Sequence, residues 1–157
     1  LIQHIPALKY RLYSNVQLRR LSQWVHVATS NNSERVKRLV GPCTVYPPKL
    51  GDPGQCWKTT CSPSDYLELK FAYPVYVTGI DIYEIEFPGT IKSISASLND
   101  SSPQLIYESS AVETNTKVCR IFSPQLRLLD SKTNCLRLTF FEDRTAAYGG
   151  FLLHGLE

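Results

Sequence analysis

From residue 22 onward, apolar and polar residues alternate with a period of two in one short run after another. That pattern narrows the available folds more than any other feature. Side chains two residues apart lie on one face of a strand, so each run reads as a half-buried β-strand. The runs are Gln23–Val27, Tyr66–Phe71, Val75–Glu84, Ile91–Leu98, Gln104–Tyr107, Val118–Phe122, Cys135–Phe141 and Gly150–Leu156. Pro74 stands just ahead of one of them, where its missing N–H is tolerated. Phe87-Pro88-Gly89 makes a turn, and Phe151–Gly155 lacks clean alternation, which predicts burial on both faces. Ser33 can cap a short helix over Glu34–Val40 that stops at Gly41-Pro42. Residues 41–65 carry eight Pro or Gly and read as a long loop. Many strands and one short helix predict an all-β fold: an antiparallel β-sandwich or jelly roll of about eight strands.

The chain has 157 residues, 43% of them hydrophobic, enough for one core. No apolar run approaches the ~18 residues of a membrane-spanning helix. The net charge of +3 is uneven: residues 1–38 hold seven Lys or Arg and one acid, and the remainder is mildly acidic. This predicts a basic N-terminal arm over 1–21 and one domain over 22–157. Residues 1–33 contain no acid and several Arg and Ser, a composition shared by mitochondrial targeting segments and by solvated arms. No basic stripe with interleaved aromatics continues into the domain, so no nucleic-acid partner is expected. The absence of Met and the start at Leu1 predict a fragment or processed product of a longer protein.

Residues capable of chemistry are sparse. His4, His26 and His154 stand at no metal-ligand spacing, and His26 and His154 are expected to be structural. Cys56 and Cys61 are too loosely spaced for a redox motif. In an oxidising compartment Cys56–Cys61 or Cys43–Cys56 could bridge the long loop and Cys119–Cys135 could join neighbouring strands; in the cytosol all five stay reduced. No Gly-x-Ser-x-Gly elbow announces a serine nucleophile, and no glycine-rich phosphate cradle is present. By the two-residue period Asp81 faces away from Glu84, whereas Glu84 and Glu86 share a face, as a carboxylate pair or as a solvated edge. Asn31-Asn32-Ser33 and Asn99-Asp100-Ser101 match the glycosylation sequon. No catalytic set, metal or cofactor is therefore expected.

Asp65–Phe71, Pro74–Glu84 and Pro88–Ile91 together resemble the discoidin-like, galactose-binding-like sandwich. Within that group the block resembles the amino-terminal domain of mitochondrial F-box and leucine-rich-repeat proteins, substrate receptors of cullin-type ubiquitin ligases. Gly41-Pro42, Val45–Pro47, Gly51-Asp52, Trp57 and the closing Leu153-His154-Gly155 are similar too, so the resemblance spans about residues 22–157. No F-box or leucine-rich repeat lies in this chain. The resemblance implies a non-catalytic recognition module that binds a protein partner in an intracellular, mitochondria-associated setting. The alternative is a secreted or lumenal carbohydrate-binding module, with a structural calcium near Asp52. In a sandwich of this topology, the loop 47–58, the turn 85–90 and the loop 142–149 gather at one end. They would present Lys49, Asp52, Trp57, Lys58, Phe87, Arg144 and Tyr148, aromatic and cationic types enriched in binding hot spots. Trp57 has a competing role as a packed loop anchor.

Overall fold

The computed structural model describes residues 18–31, 35–43, 56–99, 101–111, 119–142 and 145–157. Nine strands follow one another there: β1 (Arg20–Trp24), β2 (Val27–Ser30), β3 (Trp57–Lys58), β4 (Tyr66–Glu86), β5 (Ile91–Ser97), β6 (Gln104–Glu108), β7 (Arg120–Phe122), β8 (Thr133–Phe140) and β9 (Ala147–Leu156). Every strand pairing among the described residues is antiparallel. The fold is the expected all-β sandwich.

β4 explains how two layers arise from one chain. Its first half, Tyr66–Lys70, pairs with β2 and β8, and β8 continues the layer to β5 and β6. Its second half, Tyr76–Glu86, pairs with β9 and β7, and β9 continues to β1 and β3. The ladder with β8 shifts register between Lys70 and Val75. Pro74, which can donate no ladder bond, sits inside that irregularity. What reads as two strands flanking a proline is therefore one 21-residue strand that passes from one sheet to the other. Conversely, the run at Gln23–Val27 is broken at Val25-His26, so that β1 joins one sheet and β2 the other.

The core lies between the sheets. Leu67, Leu69, Ile94, Leu136 and Leu138 from one layer meet Ile80, Ile82, Phe151 and Leu153 from the other. Each such side chain contributes about 1.5–3 kcal/mol of hydrophobic stabilisation. Ile91 and Ile94 are three apart and both buried, which strict alternation forbids. A register shift between Ile91 and Ser93 restores the phase. β9 is buried on both faces over Ala147–Phe151, because a second cluster of Cys43, Cys56, Tyr83, Ile85 and Ala147 covers its outer side. From Leu152 onward it alternates, so the two-sided burial expected for Phe151–Gly155 falls instead on the preceding residues.

Two further expectations change. The helix is a single 3₁₀ turn, Val36–Leu39, entered through Arg35 at φ 63°, and the expected cap Ser33 lies outside the described residues. The long loop 41–65 contains β3, too short to show any period. Cys61 is exposed and Cys119 is buried, and neither is in a disulfide.

Asp65 organises the entry to β4. Its Oδ2 accepts from the Thr60 N–H at 2.6 Å, and its Oδ1 accepts from the Thr60 hydroxyl at 2.6 Å. Burial pushes its pKa up, but these bonds, with those from Ser62 and Asn31, outweigh it and hold the carboxyl below its usual 3.8. A depressed carboxylate contributes stability above the unfolded-state pKa that is lost as pH falls through the folded value. Asp65→Asn should therefore be less stable than the parent at neutral pH, with the gap narrowing below about pH 4. Urea unfolding at a series of pH values checks this. A gap that is constant with pH would mean that the charge of Asp65 plays no part.

Candidate binding surface at one end of the sandwich

The ends of four strands converge at one pole. β3 lies against the start of β9, Trp57 opposite Tyr148 and Lys58 opposite Ala147. Thr59 N–H donates to the Ala146 carbonyl at 3.0 Å, and Ala146 N–H returns a bond to the Thr59 hydroxyl at 2.9 Å. The end of β4 pairs with the same part of β9, Glu84 opposite Tyr148 and Glu86 opposite Ala147. Phe141 N–H donates to the Thr90 carbonyl at 2.8 Å. The described parts of the three segments expected to gather thus do lie together.

Trp57 and Tyr148 hold this end from inside. Both are fully buried. The Trp57 ring lies 5.4 Å from Phe140 and 6.1 Å from Tyr148, and Tyr148 is 5.9 Å from Phe151. The Tyr148 and Thr90 hydroxyls hydrogen-bond at 2.6 Å, so a polar tip is satisfied without water. Tyr148, expected at the surface, and Trp57, for which a packed anchor is the competing expectation, are both core anchors, because the short β3 adds edgewise to β9 and turns both rings inward.

Lys58, Glu86 and Phe87 do reach the surface. Lys58 Nζ sits 3.2 Å from Glu86 Oε2, both side chains about one-third exposed, a pair worth about 0–1 kcal/mol. Phe87 is half-buried and adopts φ 49°, a left-handed conformation unusual for a bulky residue. Lys49, Asp52 and Arg144 lie outside the described residues.

The strained turn is held by Glu84, whose side chain is wholly buried. Its Oε2 accepts from Arg120 Nε at 2.6 Å and its Oε1 from the Gly89 N–H at 3.2 Å. Gly89, at φ 86°, supplies the second left-handed residue of the turn. Glu84 and Glu86 therefore do not act as a carboxylate pair. Each faces its own cation, Arg120 or Lys58.

The outer face of the β1–β9–β4–β7 sheet carries a polar row that no local motif announces. Ser22 on β1 stands opposite His154 on β9, with Oγ and Nδ1 2.8 Å apart. His154 Nε2 lies 2.8 Å from Asp81 Oδ2 on β4, and the Ser123 hydroxyl donates to Asp81 Oδ1 at 2.6 Å. Partial burial raises the Asp81 pKa, but the bonds from Ser123 and His154 and the imidazole charge outweigh this and hold it below the usual range. Among the described residues, no group of three or more His, Cys, Asp or Glu side chains could hold a metal ion.

No family model matches this chain, and no curated protein matches it. Solved structures do. The carbohydrate-binding module CBM32 of AlyQ, in complex with 4,5-unsaturated mannuronic acid, superposes with a TM-score of 0.59 at 12% identity, covering 85% of this chain and 97% of that one. A pectin-binding carbohydrate-binding module gives 0.58 at 15% identity, covering 85% and 91%. The family 32 module of Clostridium perfringens NanJ, in complex with galactose, gives 0.51 at 13% identity, covering 85% and 99%. At such identities the likeness speaks for architecture alone: this chain has the discoidin-like, galactose-binding-like β-sandwich fold of those modules.

Proposed function

We propose that this domain is a recognition module whose ligand contacts the pole formed by Lys58, Glu86, Phe87 and the adjoining loops, and that the ligand is a carbohydrate. The observation that carries the reading is the turn at Phe87. A bulky side chain is kept in a left-handed conformation by a buried carboxylate. Local strain of about 1–3 kcal/mol persists where the surroundings over-determine it, and it clusters at functional sites. The exposed part of the Phe87 ring, next in sequence to the Glu86 that pairs with Lys58, would supply apolar contact, and the Lys58–Glu86 pair hydrogen bonds, the two kinds of contact a sugar ring needs. That architectural neighbours bind galactose, pectin and a uronic acid supports this ligand class. Lys49, Asp52 and Arg144 belong to the same proposal.

A second reading is a protein partner, within a ubiquitin-ligase receptor. It rests on the resemblance of residues 65–91 and on the burial of Trp57 and Tyr148, which leaves less exposed aromatic surface for a sugar. The carbohydrate reading goes with a secreted or lumenal setting, the protein reading with an intracellular one.

A glycan array that includes galactosides and uronates, run with the parent and with Lys58→Ala and Phe87→Ala, tests the proposal. The expected result is saturable binding by the parent and a loss of about tenfold or more in each variant, as for a contact worth 1.4 kcal/mol. Binding that survives both substitutions in folded protein removes the site from this pole. No glycan binding by the parent rejects the carbohydrate and leaves the protein partner.

A further inference from the structure

We infer that Ser22 is an activated nucleophile, with His154 as its general base and Asp81 as the residue that positions the base, and that the adjoining groove accepts a small carboxylic ester. This site lies on the sheet face and is independent of the ligand proposed for the pole.

The ladder itself brings the groups together. Arg19 and Glu157 exchange both backbone hydrogen bonds, at 3.3 and 2.9 Å. Hydrogen-bonded pairs of an antiparallel ladder alternate with pairs that are not, and in the latter the side chains approach more closely. Counting along the register, Arg20–Leu156 and Ser22–His154 are pairs of the second kind. Ser22 and His154 therefore meet directly, and the Ser22 N–H turns away from β9. β1 ends the strand order among the described residues, so this N–H faces the open edge of the sheet.

The hydrogen bonds assign the protons. Asp81 is held ionised, so its Oδ2 accepts the Nε2–H of His154. In the neutral imidazole this leaves the lone pair on Nδ1, 2.8 Å from Ser22 Oγ, where the serine hydroxyl can donate to it. A nucleophile within reach of a base, with the base oriented by a third group, is the arrangement that activates a hydroxyl on any fold. Which ring nitrogen faces the serine does not alter the proton balance. Ser123 fixes Asp81 from the other side.

A groove of about 280 Å³ opens beside Ser22, lined also by Arg20, Leu21, Thr78, His154 and Leu156. Leu156, on the same face of β9 as His154, offers an apolar wall for a short acyl chain. The Arg20 guanidinium and the outward Ser22 N–H are the donors available to a developing oxyanion. In the first step Ser22 Oγ attacks the ester carbonyl carbon and its proton passes to His154 Nδ1. The carbonyl–alkoxy bond then breaks and the departing oxygen takes that proton as the alcohol. Water attacks the acyl-serine in the second step, giving a proton through His154 to Ser22 Oγ and releasing the carboxylic acid. Only ester and water are consumed.

The test uses p-nitrophenyl acetate with the whole chain, following nitrophenolate release and locating the acetyl group by peptide mass spectrometry. Ser22 should be acetylated about 100-fold faster than other exposed serines, at the lower end of what a positioned base contributes. Ser22→Ala should abolish that label. His154→Ala should lose it and regain part of it with added imidazole, which a structural role for the ring would not produce. Asp81→Asn keeps the side-chain volume while removing the charge that stabilises the imidazolium. It should slow Ser22 acetylation about tenfold or more, and Asp81→Glu, which restores the carboxylate, should recover part of that rate, which a purely structural role would not produce. Acetyl groups spread over lysines with Ser22 unlabelled would overturn the proposal, as would Ser22 labelling at an equal rate without His154.

Discussion

Replacing Arg120 by alanine should destabilise the domain by about 3 kcal/mol or more, the usual cost of removing one partner from a buried ion pair. Glu84 is the reason. Its carboxylate is wholly inaccessible, whereas Arg120 keeps about one-third of its side chain in solvent. Truncating the exposed partner therefore leaves a buried negative charge without its guanidinium. At about 2–4 °C per kcal/mol for a chain of this size, the melting temperature should fall by roughly 6–12 °C. Arg120→Ala also removes the guanidinium lying 4.6 Å from the Phe122 ring, but such a contact is worth only about 0.5–1 kcal/mol at a partly exposed site. The double variant Arg120→Ala/Glu84→Gln separates the two contributions. With the charge gone and an amide oxygen still able to accept from Gly89, it should recover most of the loss. If the double variant is no more stable than Arg120→Ala, the buried charge is not what makes Arg120 important.

Gly155→Ala should be comparably damaging through sterics alone. A Cβ at that position would stand 2.4 Å from Val75 Cγ2 and 2.9 Å from the Tyr76 carbonyl oxygen. Val75 is fully buried and the carbonyl belongs to the paired strand, so neither can simply swing aside. Overpacking of this kind costs about 1–3 kcal/mol, and a backbone obstacle places it at the upper end. Gly79→Ala is the control, since its Cβ would meet nothing closer than 4.0 Å. Thermal unfolding of the two variants should differ by several degrees. Equal melting temperatures would mean that β9 shifts away from Val75 at little cost.

Much of the fold was legible because it is written in a period of two. Leu67, Leu69 and Phe71, or Leu136 and Leu138, announce a buried face without any tertiary knowledge. The changes of sheet were not legible. Alternation runs on through Val25, buried at the corner between β1 and β2, so one run disguised two strands. Ala72-Tyr73-Pro74 resembles a stop, so one strand passed for two. At the pole, residue type pointed to Trp57 and Tyr148 but could not give their direction, which depends on a two-residue strand too short to show a pattern. The Ser22, His154 and Asp81 set was hidden for a different reason. Its bonded members lie 132 and 73 residues apart in the chain, and only the register of three strands brings them into one row.

The placement of β9 also bears on the order of events during synthesis. Among the described strands it is the last to be made, yet β1, β3 and the second half of β4 all pair with it. One whole sheet therefore lacks its middle until residues 147–156 have left the ribosome. Until then β1 and the far half of β4 present unpaired edges, the kind of surface that chaperones cover and that aggregation exploits. Stalling before residue 147 should leave a protease-sensitive nascent chain, and resistance should arrive abruptly once β9 has emerged.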